Sequence, residues 1–146
     1  MLFGPELDGP VWFRENGLVF EADLLQGQKT GFFLDQRDNR AQVREWAEGR
    51  SVLNVFSYTG AFSVYALSGG AQSVLEIDIN AQAQEASLKN LELNFSREMI
   101  SQDRFRQIRG DAFAQLAQLN RQGEQFDMVI LDPPAFASSR QNKKNE

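Results

Sequence analysis

Four compact apolar runs recur along the chain, at Ser51–Phe56, Ser73–Ile77, Arg104–Ile108 and Asp127–Leu131, with a helix-length segment between each pair. Strands that lie parallel cannot be joined by a tight turn and need a crossover, usually a helix, so this order predicts an α/β fold with a parallel sheet. The runs VLNVF and MVILD are almost wholly apolar, as expected of central strands covered on both faces. The segments between them read as helices. Ala61–Ser68 precedes Gly69-Gly70, Asn80–Asn94 opens on an Asn cap and carries Ala83, Ala86, Leu88, Leu91 and Leu93, and Asp111–Leu119 ends before Gly123.

Ahead of this sheet, Val11 and Phe13, then Leu18 and Phe20, alternate around Glu15-Asn16-Gly17, a spacing that predicts a β-hairpin. Gly31–Leu34 is a third short apolar segment and is expected to continue the same small sheet. From Asp35 the sequence DQRDNRAQVREWAEG predicts a helix that buries Ala41, Val43, Trp46 and Ala47 and stops at Gly49. The expected organisation is therefore a hairpin region over residues 1–34, followed by a parallel α/β domain over residues 35–146. The last residues, SSRQNKKNE, are polar.

The chain has 146 residues, 42% of them hydrophobic, with no Cys and no His. That composition excludes a disulfide framework, a zinc finger and any Ser-His-Asp or Cys-His catalytic pair. A metal would need oxygen ligands alone, and no metal site is expected. No apolar run approaches the ~18 residues needed to cross a bilayer, and MLFGPELDGP lacks the features of a signal peptide, so a cytoplasmic protein without a membrane partner is expected. With 15 Lys+Arg against 20 Asp+Glu, the net charge of -5 argues against binding nucleic acid by charge alone. Arg104, Arg106, Arg109, Arg140, Lys143 and Lys144 form either a local RNA-facing group or a solvated surface.

In open α/β sheets, ligands collect at the carboxyl ends of the strands. The first such end, Phe56-Ser57-Tyr58-Thr59-Gly60, is either a ligand loop or a plain strand-to-helix turn. It is not GxGxxG, which disfavours a nicotinamide dinucleotide. At the second end Asp78 can accept both hydroxyls of a ribose, cap the next helix or stand solvated, and Glu76 on the same face is a candidate to share its task. At the third, Asp111 either receives an exocyclic amine such as that of adenine or caps its helix. The fourth is more specific: Asp132, Pro133 and Pro134 hold a stiff acceptor pair beside Phe136, suited to grip and stack a planar base. The alternative is a strand terminator with a core Phe.

Taken in order, GQKTGFFLDQRDNR, NVFSYTGAFS, LEIDIN, RGDAF and LDPPAF resemble the class I S-adenosylmethionine-dependent methyltransferases that act on large-subunit ribosomal RNA, within them the group related to 23S rRNA cytosine-5 methyltransferases. The resemblance runs from about Val11 to Ser139. It implies a partial Rossmann-like domain over residues 35–146 with the first four parallel strands, a flap within residues 1–34, S-adenosyl-L-methionine as cofactor and RNA as substrate. Phe56, Ser57, Tyr58, Thr59 and Gly60 would line the methionine part of the cofactor, Asp78 would hold its ribose, and Asp111 would meet its adenine amine. Asp132, Pro133, Pro134 and Phe136 would lie between the transferred methyl and the target base. The flap would bring Lys29, Thr30, Phe33, Asp35 and Arg37 beside the cofactor. Methyl transfer from a sulfonium needs chiefly alignment and exclusion of water, which agrees with a chain lacking His.

Two departures shape the expectations. Relatives that methylate cytosine carbon 5 use a cysteine nucleophile, which is absent from this sequence, leaving carbon 5 or a base nitrogen as alternative targets. Relatives also carry an RNA-binding module before this region and further strands after DPPAF. The expectation is thus part of a longer enzyme, marginally stable and catalytically impaired by itself, that self-associates through an exposed sheet edge. A non-catalytic cofactor-binding domain is the alternative function. An RNA substrate would have to present an unstacked base.

Overall fold

A computed structural model of the chain describes residues 4–26 and 31–135. Strands β1 (Val11–Glu15) and β2 (Leu18–Ala22) form an antiparallel hairpin. Its two-residue turn needs left-handed backbone at both positions, which Asn16 (φ 49°) and Gly17 (φ 82°) adopt. Helix α1 (Arg37–Trp46) leads into β3 (Ser51–Val55), α2 (Ala61–Ser68), β4 (Ser73–Asp78), α3 (Ala81–Glu92), β5 (Phe105–Arg109), α4 (Ala112–Arg121) and β6 (Met128–Leu131). All pairings among β3 to β6 are parallel, in the order β5-β4-β3-β6. The chain winds outward from β3 in both directions, so the strand order switches between β3 and β6. This is the expected Rossmann-like arrangement.

Period-two alternation divides the sheet between two cores. Val52 and Val74 pack with the hairpin, α1, α2 and α3, while Leu53, Val55, Leu75 and Ile77 pack against Ala112 and Leu119 of α4. Phe20 and Phe32 meet beneath the hairpin with ring centres 5.1 Å apart, and Phe20 also stacks on Tyr65 of α2.

Three expectations are corrected. Gly31–Leu34 is not a third strand: Gly31 has φ 75° and the chain enters a 3-10 turn at Leu34–Gln36. The Phe33 carbonyl is turned toward Arg40, whose Nη1 donates to it at 2.9 Å. Trp46 is 56% exposed, because α1 buries the stripe holding Arg40, Val43 and Ala47. β6 is an edge of the described sheet, not a central strand, and Val129 and Leu131 stand exposed on it. The continuous apolar run carried no information about which strands would have two neighbours.

Arg40 is buried at the join between hairpin, α1 and α2. Its Nε and Nη2 donate to Glu15 Oε1 and Oε2 at 2.8 and 2.9 Å, a bidentate pair, and Tyr65 Oη donates to Glu15 Oε1 at 2.8 Å. The guanidinium also lies 4.5 Å from the centre of the Phe32 ring.

Candidate functional site

Parallel register brings four strand ends to one rim. Val55 lies beside Leu131 and Ile77, and Asp78 beside Arg109, so the segments beginning at Phe56, Asp78, Gly110 and Asp132 emerge together. The loop after β3 carries left-handed backbone at every second residue: Phe56 (φ 59°), Tyr58 (φ 49°) and Gly60 (φ 75°). For an aromatic residue this region is strained, at a cost on the order of 1–3 kcal/mol each, and it persists only where the surroundings impose it.

Those surroundings are explicit. Ser57 N donates to Ile77 O at 3.1 Å and Gly60 N to Ser57 O at 2.9 Å. Tyr58 N donates to Asp78 Oδ2 at 2.8 Å, while Asp78 Oδ1 accepts from Asn80 N at 2.9 Å. The Tyr58 ring packs on Phe33, with centres 5.3 Å apart. Asn80, not Asp78, caps α3 by accepting from Ala83 N, so Asp78 is left to hold the loop. Gly60 is obligatory for a second reason: a Cβ there would run into Ser87 Oγ and reach within 2.8 Å of Glu76 Oε1. Among the described residues, Ser57 Oγ is the single buried side-chain polar atom with no hydrogen-bond partner.

Beneath the loop, Asn54, Glu76 and Gln107 form a polar row across three neighbouring strands. Glu76 does not share the position of Asp78: it is fully buried, and its carboxyl accepts from Ser87 Oγ at 2.8 and 2.9 Å and from Gln107 Nε2 at 3.1 Å. Burial pushes it up to about 7, with the nearby Asp78 charge adding to the rise and its hydroxyl and amide partners opposing it. The folded chain therefore keeps a proton that the unfolded chain releases near 4.5, so stability falls as pH rises between those values. The expected loss is roughly 3 kcal/mol across that window. Urea unfolding at pH 5 and pH 8 should show this loss in the native chain and not in Glu76→Gln; equal pH dependence in both would disprove it.

The remaining predicted residues are more dispersed. Asp111 Oδ2 accepts from Ala114 N at 2.9 Å, so Asp111 caps α4, and its side of the rim is exposed. Asp132, Pro133 and Pro134 are exposed after β6, where Asp132 borders an open groove of about 400 Å³ that includes Trp46, Phe62 and Val129. Asp35 lies in the 3-10 turn, and Arg37 opens α1 with Nε 3.8 Å from the Asp38 carboxylate. Lys29, Thr30 and Phe136 fall outside the described residues, as do Arg140, Lys143 and Lys144. Of the basic group, Arg104 donates to Ala71 O and Arg106 approaches Glu124, while Arg109 is exposed.

Residues 5–142 match the family described as S-adenosylmethionine-dependent methyltransferase. The chain belongs to this family. It is 46% identical over 131 residues to the ribosomal RNA large subunit methyltransferase I of Aeromonas salmonicida, a match covering 90% of this chain and 32% of that protein. Against the ribosomal RNA large subunit methyltransferase of Deinococcus radiodurans it is 44% identical over 137 residues, covering 94% and 33%. A solved structure described as a methyltransferase complexed with SAH superposes with a TM-score of 0.83 at 33% identity, covering 96% of this chain and 36% of that one. The chain spans about a third of the length of the curated relatives it matches.

The rim fits the cofactor that names this methyltransferase family. Asp78 is a fixed carboxylate with lone pairs left beyond its two backbone donors, and Ser57 offers an unspent hydroxyl between Phe56 and Tyr58 in the chain. Sequence reasoning missed Arg40, Asn54, Ser87 and Asn90, all wholly or nearly wholly inaccessible or paired inside the fold. Their only sequence signal was a polar residue inside an otherwise apolar stripe, which also describes many surface positions.

Proposed function

We propose that this chain is the S-adenosylmethionine-binding part of an RNA methyltransferase acting on a base of large-subunit ribosomal RNA. The observation that carries the reading is the left-handed loop Phe56–Gly60 pinned to Asp78 through Tyr58 N, a strained arrangement at the strand-order switch. Residues 1–34 serve as hairpin and flap and residues 35–146 as the cofactor-binding part. Asp78 accepts the ribose hydroxyls. Phe56, Ser57, Tyr58, Thr59 and Gly60 line the methionine portion, with Ser57 Oγ meeting one of its polar groups. Asp111 has a second carboxylate oxygen beyond the one that caps α4, and this receives the adenine amine. Lys29, Thr30, Phe33, Asp35 and Arg37 belong to the flap beside the cofactor.

When bound, S-adenosylmethionine supplies a methyl group activated on a sulfonium. The protein's part is to align acceptor and donor and to keep water out. Asp132 and the Pro133 carbonyl accept hydrogen bonds from an amino group of the unstacked base, Pro134 holds that backbone stiff, and Phe136 stacks on the base face. The names of the relatives favour transfer over a non-catalytic binding domain. Among the described residues no helix is long and apolar enough to cross a membrane, and the proposed RNA substrate assigns the protein to the cytoplasm.

Calorimetric titration with S-adenosylmethionine and SAH tests this reading. Saturable binding of both is expected; a folded chain that binds neither overturns it. The edge of β6, unpaired among the described residues and with Val129 and Leu131 exposed, supports a homo-oligomeric contact for this chain. Sedimentation should show a concentration-dependent dimer that Val129→Lys weakens by about tenfold or more, since a buried charge opposite its own copy is repulsive. A native chain that stays monomeric removes this contact.

A further inference from the structure

Asn90 of helix α3 and Asn94, four residues on and just past the end of that helix, face the edge of β2 that β1 leaves unpaired. Asn94 closes a two-way clamp on Val19, accepting from its N at 2.8 Å and donating to its O at 2.7 Å. Asn90 faces two ways. Its Oδ1 accepts from Glu21 N at 2.8 Å, and its Nδ2 donates to Thr59 O at 2.9 Å. One fully buried amide thus joins an orphan donor of the hairpin to an orphan acceptor of the loop after β3.

Those two bonds also settle which end of the amide is which. A nitrogen facing Glu21 N–H, or an oxygen facing the Thr59 carbonyl, would set like against like. The side chain is therefore oriented by the hairpin, and so oriented it holds the carbonyl that immediately precedes Gly60. Thr59 lies between the left-handed residues Tyr58 and Gly60, where the chain has no strand or helix of its own to keep its direction. Tyr58 N is fixed from one side by Asp78 and Thr59 O from the other by Asn90.

We infer that Asn90 is a positioning residue for the cofactor loop: it uses its hairpin-oriented amide to hold the Thr59 carbonyl and so presents Ser57 and Tyr58 for binding. The inference rests on the cofactor reading of that loop given above. It assigns the hairpin a role beyond covering the core, because the hairpin supplies the bond that aims the amide.

Asn90→Asp separates the two functions of the side chain. The carboxylate still accepts from Glu21 N but turns a lone pair on Thr59 O in place of a donor. Asn94→Asp is the control, since it removes the donor to Val19 O and to the Asn90 backbone carbonyl but leaves both bonds of the Asn90 side chain in place. Two readouts are needed: SAH affinity by calorimetry, and hydrogen exchange of the amides of residues 57–60 without ligand. Asn90→Asp should weaken SAH binding by about tenfold or more and speed exchange in that loop, while Asn94→Asp lowers the unfolding midpoint but changes neither.

Should Asn90→Asp fail to fold, Asn90→Ala removes the same donor, together with the acceptor for Glu21 N, without adding a charge, and the same two readouts are compared with those of Asn94→Asp. Native affinity and native loop exchange in the Asn90 variant would overturn the inference, as would equal losses in the Asn90 and Asn94 variants. If the native chain binds no SAH but Asn90→Asp still loosens the loop, the cofactor reading fails and the positioning of the loop stands.

Discussion

Asp78→Ala is expected to reduce affinity for SAH at least about a hundredfold, equivalent to roughly 2.7 kcal/mol. Two losses combine. The acceptor proposed for the ribose hydroxyls disappears, and hydrogen bonds to a charged group contribute on the order of 1.5–3 kcal/mol each. Tyr58 N and Asn80 N also lose their shared partner, which releases the left-handed backbone at Phe56 and Tyr58 to relax toward an ordinary conformation. Asp78→Asn separates the effects, because its single carbonyl oxygen can keep Tyr58 N while its amide cannot accept from Asn80 N or from a hydroxyl. It should fall between the native chain and Asp78→Ala. An Asp78→Ala chain that binds within about threefold of the native one would remove Asp78 from the site, whatever its role in the loop.

The largest effect on stability is expected at Arg40. Arg40→Met should cost about 3–5 kcal/mol, because it leaves the Glu15 carboxylate buried with no cation. Set against the ~5–15 kcal/mol that holds a domain of this kind together, that is enough to unfold a large share of molecules at 37 °C. The loss is not confined to one ion pair. Arg40 Nη1 is also the donor to Phe33 O, and Phe33 packs on Tyr58, so loosening here reaches the cofactor loop.

Tyr65 cannot take over the neutralising role. Burial, then the bond to Glu15, push its phenol up to about 12, so it remains a neutral donor at ordinary pH. Combining Arg40→Met with Glu15→Leu removes the stranded charge, and the double variant should recover at least about half of the loss. Urea unfolding of the two single variants and the double variant measures this. If Arg40→Met alone costs less than about 1 kcal/mol, the pair contributes no more than an exposed one would.

Much of this architecture could be read from local sequence. Asn16-Gly17 between alternating apolar residues specified the hairpin, the four apolar runs specified the strands to within a residue or two, and Asn80 was legible as a helix cap. The loop Phe56–Gly60, Asp78 and Asp111 were all placed at strand ends, where the fold does put them. What failed was of a different kind. Gly31–Leu34 has the composition of a strand but lies where Arg40 captures the Phe33 carbonyl, and Trp46 has the composition of a core residue but sits beside the open edge of β6.

The limit has a physical basis. Periodicity, turn chemistry and capping are decided within one or two turns of chain, so the amino-acid sequence by itself determined the order and type of elements, the family resemblance and the rim on which the candidate residues stand. The state of each polar group depends on atoms brought together from far along the chain. Glu15 finds Arg40 and Tyr65, Glu76 finds Ser87 and Gln107, and Asn90 finds Glu21 and Thr59. Only the tertiary structure decided those partnerships, because a buried donor or acceptor is satisfied by position in space, and local spacing carries no record of which distant residue will stand opposite it.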